Sequence, residues 1–186
     1  MKLKIFLDGD NQVNKALVGI ELLEEGDELF IYESVNAQKG VHFNEKCVNE
    51  LRSKTAAKIH VLFIQTASNA VDFAIAVNAA KVIAAAENKD TAYVLISGDN
   101  DYNTIIRELR ASFPGACCLS KENSIRTAVE RCWPLRVSTA EQLKEQLVKL
   151  IGDKAGADAY QNLFNILAPQ QEEKERKWWQ KSYHLG

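Results

Sequence analysis

The chain lacks an excess of positive charge. Its 23 lysines and arginines are balanced by 25 aspartates and glutamates, which gives a formal net charge of −2 over 186 residues. Proteins that bind nucleic acid without sequence preference usually carry a basic surface that neutralises phosphates. A polyanionic ligand would therefore have to be held by a local basic patch or through a bound metal ion.

The chain also lacks long apolar runs and paired cysteine motifs. No apolar run approaches the about 20 residues that a helix needs to cross a bilayer, and the first apolar segment is too short for a signal peptide. The four cysteines, Cys47, Cys117, Cys118 and Cys132, show no CxxC spacing. We therefore predict a cytoplasmic protein with reduced thiols and no membrane partner.

Short apolar runs alternate with segments of helical periodicity. The runs are mostly continuous, which is typical of strands covered on both faces. They lie at residues 3–7, 29–32, 59–64, 92–96 and 116–119. The helical segments lie at residues 14–24, 44–54, 69–87, 102–112 and 123–132. This alternation predicts an α/β fold in which helices flank a central parallel sheet.

The segment 69–87 is apolar around nearly its whole circumference. Such a helix is expected to be buried on most sides. Asn88 follows it and is a candidate for the residue that ends the helix, because asparagine tolerates the left-handed conformation.

The pattern changes after Pro134. Residues 139–151 form an amphipathic helix with Ser138 or Thr139 as N-cap, and a second helix is predicted at 157–167. We divide the chain accordingly into an α/β domain, residues 1–137, and a helical C-terminal extension, residues 138–186.

Acidic residues follow the predicted strands. Asp8 and Asp10 come after the first strand, and Asp99 and Asp101 come after the fourth. Functional groups of open parallel sheets gather beyond the carboxyl ends of the strands. Two like charges about 4 Å apart repel by about 4 kcal/mol at an effective dielectric near 20. Asp72 is an isolated acid in an apolar helix. A hard cation such as Mg²⁺ or Mn²⁺ would make such a group of acids favourable.

Each acid also has a purely structural interpretation. Asp8 and Asp99 are common turn residues, Asp101 is a candidate N-cap, and Asp72 suits the first turn of its helix. Acids at three separate strand ends are better explained together by a metal site.

Three short motifs resemble the NYN branch of the PIN-like nuclease superfamily. They are Asp8 with Asn11, Asn69 with Asp72, and the stretch SGDND that ends at Asp101. Over about residues 3–136, the resemblance implies a PIN-like three-layer α/β/α sandwich with a central parallel sheet. It also implies a metal-dependent ribonuclease that hydrolyses RNA phosphodiester bonds.

The resemblance assigns a role to each acid. Asp8 and Asp99 would be direct ligands of Mg²⁺ or Mn²⁺, while Asp101 and Asp72 would complete the acidic cluster through waters or a second ion. Many relatives carry a further acid where this chain has Asn78. The asparagine supplies less charge, and Asp10 is a candidate to compensate for it.

Neighbouring polar residues would support the metal site. Asn11 would orient the metal-bound water or a phosphate, and Asn69 would support that network. Ser97 would donate a hydrogen bond to a ligating carboxylate. Lys121 and Arg126, which follow the fifth predicted strand, are candidate phosphate contacts.

The C-terminal tail mixes cations with aromatic side chains, among them Trp178, Trp179 and Tyr183. Such a tail can stack on unpaired bases, so single-stranded or structured RNA is the expected partner. The tryptophans can equally dock the tail onto the body or onto another subunit, which is compatible with a homodimer.

Two other functions fit parts of the sequence. A haloacid-dehalogenase-type phosphatase would use Asp8 as nucleophile and Asp10 as acid, although its lysine motif and cap domain are missing. A non-catalytic PIN-like module would bind RNA or a protein through the same cleft.

Overall fold

The computed structural model describes residues 1–35, 42–86, 90–116, 118–137 and 139–163. The Cα positions divide into two compact units, Met1–Arg136 and Val137–Gly186. The first unit contains the sheet and all the acids singled out above.

Five parallel strands form one sheet in the order β3-β2-β1-β4-β5. The strands are β1 (Lys2–Asp8), β2 (Glu28–Val35), β3 (Lys58–Gln65), β4 (Thr91–Ile96) and β5 (Cys118–Glu122). The predicted parallel sheet is thereby confirmed. Because β1 and β4 are central neighbours, with Leu7 opposite Ile96, the residues that follow them emerge side by side at one edge.

Helices connect the strands and follow the last one. They are α1 (Val13–Ala16), a 3₁₀ helix (Ile20–Leu22), α2 (Glu45–Arg52), α3 (Ala70–Ala84), α4 (Tyr102–Ser112), α5 (Ile125–Arg136) and α6 (Ala140–Ile151). Residues 153–163 are also helical.

The sheet is covered on both faces. Alternate residues of the central strands, such as Phe6 and Leu95, pack with Ile75 of α3 and Ile106 of α4 in one apolar core. The intervening residues of the strands are buried on the other face, where α2 packs on β3 and α5 packs on β4 and β5. These layers form the expected PIN-like α/β/α sandwich.

The first predicted helix is interrupted. Gly19 has φ +92 and lies against the backbone of α5, where an added Cβ would be 2.6 Å from the Arg126 nitrogen. A helix over 14–24 cannot pass through that conformation, so α1 and the 3₁₀ helix replace it. The fifth strand begins at Cys118 and not at residue 116, and α5 continues past Pro134 to Arg136.

Burial of α3 is one-sided, which makes the expectation of burial on most sides wrong. Its buried residues, Val71, Ile75, Ala79 and Ile83, repeat at fourth positions and form a single face. On the opposite face, Phe73 is 68% exposed and Val77 is 51% exposed. This stripe meets the sheet, partly buried apolar residues of α3 flank it against the same core, and the side chains of the opposite face stay in contact with solvent. Asn88 lies outside the described residues.

The second unit contains a capped helix. The Thr139 side chain accepts from the Gln142 N–H, and the Gln142 side chain accepts from the Thr139 N–H, which forms a capping box. This confirms the predicted N-cap. The part of the predicted helix 157–167 that falls within the described residues is helical, and the tail with its tryptophans lies outside them. Within the described part of the chain, no helix has the length and apolar character that spanning a membrane requires.

Gly9 brings the end of β1 close to β2. Its N–H donates to the Tyr32 carbonyl oxygen over 2.7 Å, and an added Cβ would lie 2.6 Å from that oxygen. The chain can leave β1 along this path because residue 9 has no side chain. The position of the preceding Asp8 depends on this close approach.

Candidate active site

Asp8 is the last residue of β1 and is buried, with 6% of its surface exposed. Its Oδ2 accepts a hydrogen bond from the Ser97 hydroxyl over 3.0 Å, and its Oδ1 accepts from the Asp10 N–H over 3.1 Å. Ser97 comes directly after β4. The central pairing of β1 with β4 therefore brings these two side chains together.

The Ser97 hydroxyl connects three segments of the site. It donates to Asp8, and its oxygen accepts from the Asp99 N–H over 3.1 Å. The Asn11 side-chain amide also donates to it, over a longer 3.5 Å. A hydroxyl has one proton and two lone pairs, so Ser97 uses its whole hydrogen-bonding capacity to tie Asp8, Asn11 and Asp99 to one another.

Asp72 reaches the same site from the first turn of α3. The Tyr102 hydroxyl donates to Asp72 Oδ1 over 2.6 Å. Tyr102 begins α4 and is almost completely buried. Its pKa is raised by burial and by the carboxylates of Asp72 and Asp8, so the phenol remains protonated and acts as a donor.

The electrostatics around Asp8 are unfavourable for an anion. Burial raises the pKa of the Asp8 carboxyl, its two hydrogen bonds oppose the rise, and the charges of Asp10 and Asp72 add to it. Among the ion pairs of the described residues, none includes Asp8 or Asp72. Two carboxylates therefore converge near the Tyr102 hydroxyl, and no ion pair within the described part of the chain neutralises their charge.

Asp99 and Asp101 lie in the turn between β4 and α4 and are exposed. Asp99 Oδ1 accepts from the Asp101 N–H over 2.9 Å, so the turn interpretation of Asp99 holds for one of its oxygens. Asp101 occupies the N-cap position of α4 without a side-chain cap hydrogen bond. Within the described ranges, no three His, Cys, Asp or Glu side chains stand close enough together to form a metal-binding group.

The remaining predicted site residues are placed less centrally. Asn69 is exposed at the start of α3 with φ 57 and makes no side-chain cap. Arg126 forms an ion pair with Glu21 over 3.4 Å. Lys121 belongs to β5 itself, although we expected it to follow the strand, because β5 begins and ends later than predicted.

Asn78 is engaged in the core. Its amide nitrogen donates to the Tyr32 hydroxyl over 2.9 Å, and burial raises the pKa of that phenol to about 12. Asp10 also has a structural partner, since its Oδ1 accepts from the Ser34 N–H over 3.0 Å. Asp10 thus fixes the segment after β1 against the end of β2.

A cavity of about 840 Å³ opens next to Asp10. Its lining includes charged and polar groups from Asp10, Lys15, Ser34 and His42. The buried Glu33 stabilises the part of the lining that His42 and Phe43 form, because its carboxylate accepts hydrogen bonds from their backbone N–H groups. A volume of this size can admit a group as large as a nucleoside.

Sequence reasoning missed two side chains that hold this region together. Tyr102 directly follows the SGDND stretch, but its hydroxyl was not identified as the partner of Asp72. The signal was present, since a buried tyrosine needs a hydrogen-bond partner and this one follows the SGDND acids. Glu33 gave no such signal, because a glutamate directly after a predicted strand is an ordinary edge residue.

A family model described as NYN domain matches residues 2–127 of the chain. No curated protein and no solved structure matches the chain. The matched range runs from β1 into the first turn of α5 and includes every acid of the candidate site.

Proposed function

Because the chain belongs to the NYN domain family of the PIN-like nuclease superfamily, we propose that it is a metal-dependent ribonuclease that hydrolyses RNA phosphodiester bonds. The observation that carries this proposal is the convergence of Asp8 and Asp72 near the Tyr102 hydroxyl. A buried carboxylate such as Asp8 without a cationic partner is unfavourable in the free protein, and it becomes useful when a cation binds.

The donors present fit Mg²⁺ or Mn²⁺. Both ions prefer carboxylate oxygens, and Asp8 and Asp72 supply such oxygens without a competing cation. Asp99 and Asp101, which lie in the turn between Ser97 and α4, would complete the ligand set through bound water. When bound, such an ion lowers the pKa of a water molecule and stabilises the leaving oxygen of a phosphodiester.

The protein's own contribution is to hold these oxygens in place. Ser97 fixes Asp8, and Tyr102 fixes Asp72 with a proton that its raised pKa keeps on the phenol. Hydrogen bonds of this kind orient the ligands of metal sites. Asn11, tied to Ser97, would contact a phosphate or the attacking water.

The basic residues would position the substrate. We assign phosphate contacts to Lys121 and to Arg126, which would exchange its pairing with Glu21 for a phosphate. Asn69 would support the strand of RNA at the start of α3. A bound metal and these contacts would offset the net charge of −2, which by itself disfavours a polyanion.

A cleavage assay tests the proposal. Wild-type protein should cut single-stranded RNA with Mg²⁺ or Mn²⁺ and not with EDTA, while Asp8→Asn and Asp99→Asn should not cut. Asp153→Asn is the matched control, because Asp153 is an exposed aspartate of the second unit. This variant should cut as the wild type does.

Two outcomes would contradict the proposal. Hydrolysis of p-nitrophenyl phosphate without any RNA cleavage would favour the phosphatase. RNA binding that persists in Asp99→Asn, together with no cleavage by the wild type under either metal, would favour a non-catalytic binding module.

A further inference from the structure

Two thiols lie together at the edge of the sheet opposite the acids. Cys118 is the first residue of β5, so it lies at the amino edge of the parallel sheet, whereas Asp8 lies at the carboxyl edge. Cys132 belongs to the last turns of α5 and is completely buried. The two side chains are within hydrogen-bonding reach of each other, and both are present as thiols.

Strand alternation explains this pairing. Cys118 is opposite Ala92 in β4, and Leu119 is opposite Tyr93. Leu119 and Tyr93 belong to the core under α3 and α4, so Cys118 points to the other face, where α5 packs. Because α5 runs back along the sheet after β5, its end returns to the start of that strand and brings Cys132 over Cys118.

Two arginines line the same cavity as Cys118. A cavity of about 320 Å³ is lined by Cys118, Arg110 and Arg131, together with apolar residues. The Arg110 guanidinium is held by two hydrogen bonds to the Leu119 carbonyl oxygen, of 2.9 and 2.5 Å. Arg131 lies 3.3 Å from Glu122. The cavity lies at an edge strand, so small solutes can reach the sulfur.

The surroundings favour the thiolate of Cys118. The hydrogen bond from Cys132 is the largest influence, and with the positive charges of Arg131 and Arg110 it lowers the pKa of Cys118 to about 6. Burial and the Glu122 carboxylate act in the opposite direction. Thiolates are the reactive form of cysteine towards oxidants.

We propose that Cys118 and Cys132 form an oxidation-sensitive thiol pair, in which a peroxide oxidises Cys118 and Cys132 converts the product into an intramolecular disulfide. The site is accessible at Cys118 and closed at Cys132, which suits an attacking and a resolving thiol. The inference does not depend on the nuclease proposal.

The reaction balances with hydrogen peroxide as oxidant. The Cys118 thiolate attacks one peroxide oxygen, an S–O bond forms, the O–O bond breaks, and hydroxide leaves and takes a proton to become water. The Cys132 sulfur then attacks the Cys118 sulfur. An S–S bond forms, the S–O bond breaks, and a second water leaves with the proton of the Cys132 thiol. Together the two thiols lose two electrons and two protons.

Peptide mapping of the full-length protein tests the proposal. After treatment with hydrogen peroxide and alkylation of the remaining thiols, mass spectrometry should find a peptide that joins Cys118 to Cys132, and dithiothreitol should abolish it. The Cys117→Ser variant should give the same peptide, which separates Cys118 from its sequence neighbour. In Cys132→Ser, dimedone should instead label Cys118 as a sulfenic acid.

A second measurement does not require cross-linking. The rate of Cys118 alkylation by iodoacetamide should rise with pH around a midpoint near 6, and the midpoint should move upward in Cys132→Ala, which removes the hydrogen-bond donor. The proposal fails if Cys132 links to Cys117, or if peroxide oxidises Cys47 while Cys118 stays reduced. It also fails if the wild-type protein forms no linked peptide. If Cys132→Ser does not fold, the mapping of the wild type and of Cys117→Ser still decides the question.

Discussion

Asp8 illustrates how a buried ionisable residue lowers the stability of the protein that carries it. Its pKa is raised in the folded state, chiefly by burial, so the folded protein binds this proton more tightly than the unfolded chain. The contribution of this group to stability is therefore full below the unfolded pKa and is lost as pH rises through the folded value. At neutral pH, the ionised Asp8 weakens the metal-free fold.

The substitution Asp8→Asn should therefore stabilise the metal-free protein. Removing the buried charge should raise the Tm at pH 7 in EDTA by about 2–4 °C for each 1 kcal/mol gained. Mn²⁺ should raise the Tm of the wild type, because it binds the folded state, and should leave Asp8→Asn unchanged. Differential scanning calorimetry with and without Mn²⁺ measures both effects. A lower Tm of the variant in EDTA would contradict this account.

Binding of Mn²⁺ should weaken as the pH falls. Protons compete with the metal for Asp8, and because the pKa of Asp8 is raised, this competition begins at a higher pH than for an exposed aspartate. Titration of Mn²⁺ by calorimetry between pH 7.5 and pH 5 should show a steadily falling affinity. An affinity that is constant over this range would mean that Asp8 is not a ligand.

Tyr102→Phe should reduce activity without disrupting the core. The ring remains, but Asp72 loses the donor that orients it, and loss of such a hydrogen bond lowers metal affinity or activity by about 10- to 100-fold. Tyr32→Phe is the matched control, since it also removes a buried phenol hydroxyl, one that is bonded to Asn78 and not to an acid. The control should lose about 1 kcal/mol of stability and keep its kcat/KM. Equal losses of kcat/KM in both variants would exclude a specific role of Tyr102.

Among the elements, α3 has two unequal faces. Ile75→Ala should destabilise the protein by about 2–5 kcal/mol, because Ile75 is fully buried between α3 and the sheet. Phe73→Ser, on the exposed face, should change the free energy of unfolding by no more than about 0.5 kcal/mol. Urea denaturation of both variants measures the difference. A large loss in Phe73→Ser would show that this face is covered.

The elements also show what the sequence could predict. The continuous apolar runs located every strand, and α4 begins and ends at the predicted residues because an acidic turn precedes it and an amphipathic pattern runs through it. The apolar composition of α3 led to a wrong prediction of its burial. The spacing of its apolar residues, and not their total number, decides which face is buried. The predicted helix over 14–24 is interrupted at Gly19. The conformation of Gly19 is set by its contact with the backbone of Arg126, which is far away in the sequence.

In the candidate site, too, some contacts could be predicted from the sequence and others could not. The sequence placed Asp8 and Ser97 after two strands, and the adjacency of β1 and β4, which brings the two residues together, is given by the structure. The pairing of Asp72 with the Tyr102 hydroxyl depends on how α3 and α4 are rotated, which no local pattern specifies. The ion pair of Arg126 with Glu21 likewise joins segments that are distant in the chain.

For the whole molecule, the boundary after α5 separates two compact units, and the candidate site belongs to the first. A chain of residues 1–137 should therefore unfold in a single cooperative transition and keep the Mn²⁺-dependent rise in Tm. Thermal unfolding followed by circular dichroism tests this, with full-length protein measured beside it. Loss of the Mn²⁺ effect in the shorter chain would place residues 138–186 within the functional domain.

The close approach at Gly9 has a genetic consequence. Every single-nucleotide missense change of a glycine codon introduces a residue that has a Cβ, and at this position the Cβ would overlap the Tyr32 oxygen. No single-nucleotide missense change of this codon therefore gives a residue that fits the space at position 9. Codon 9 should tolerate synonymous changes alone, so sequence variation among descendants of this gene should spare it even where the acids beside it have been lost.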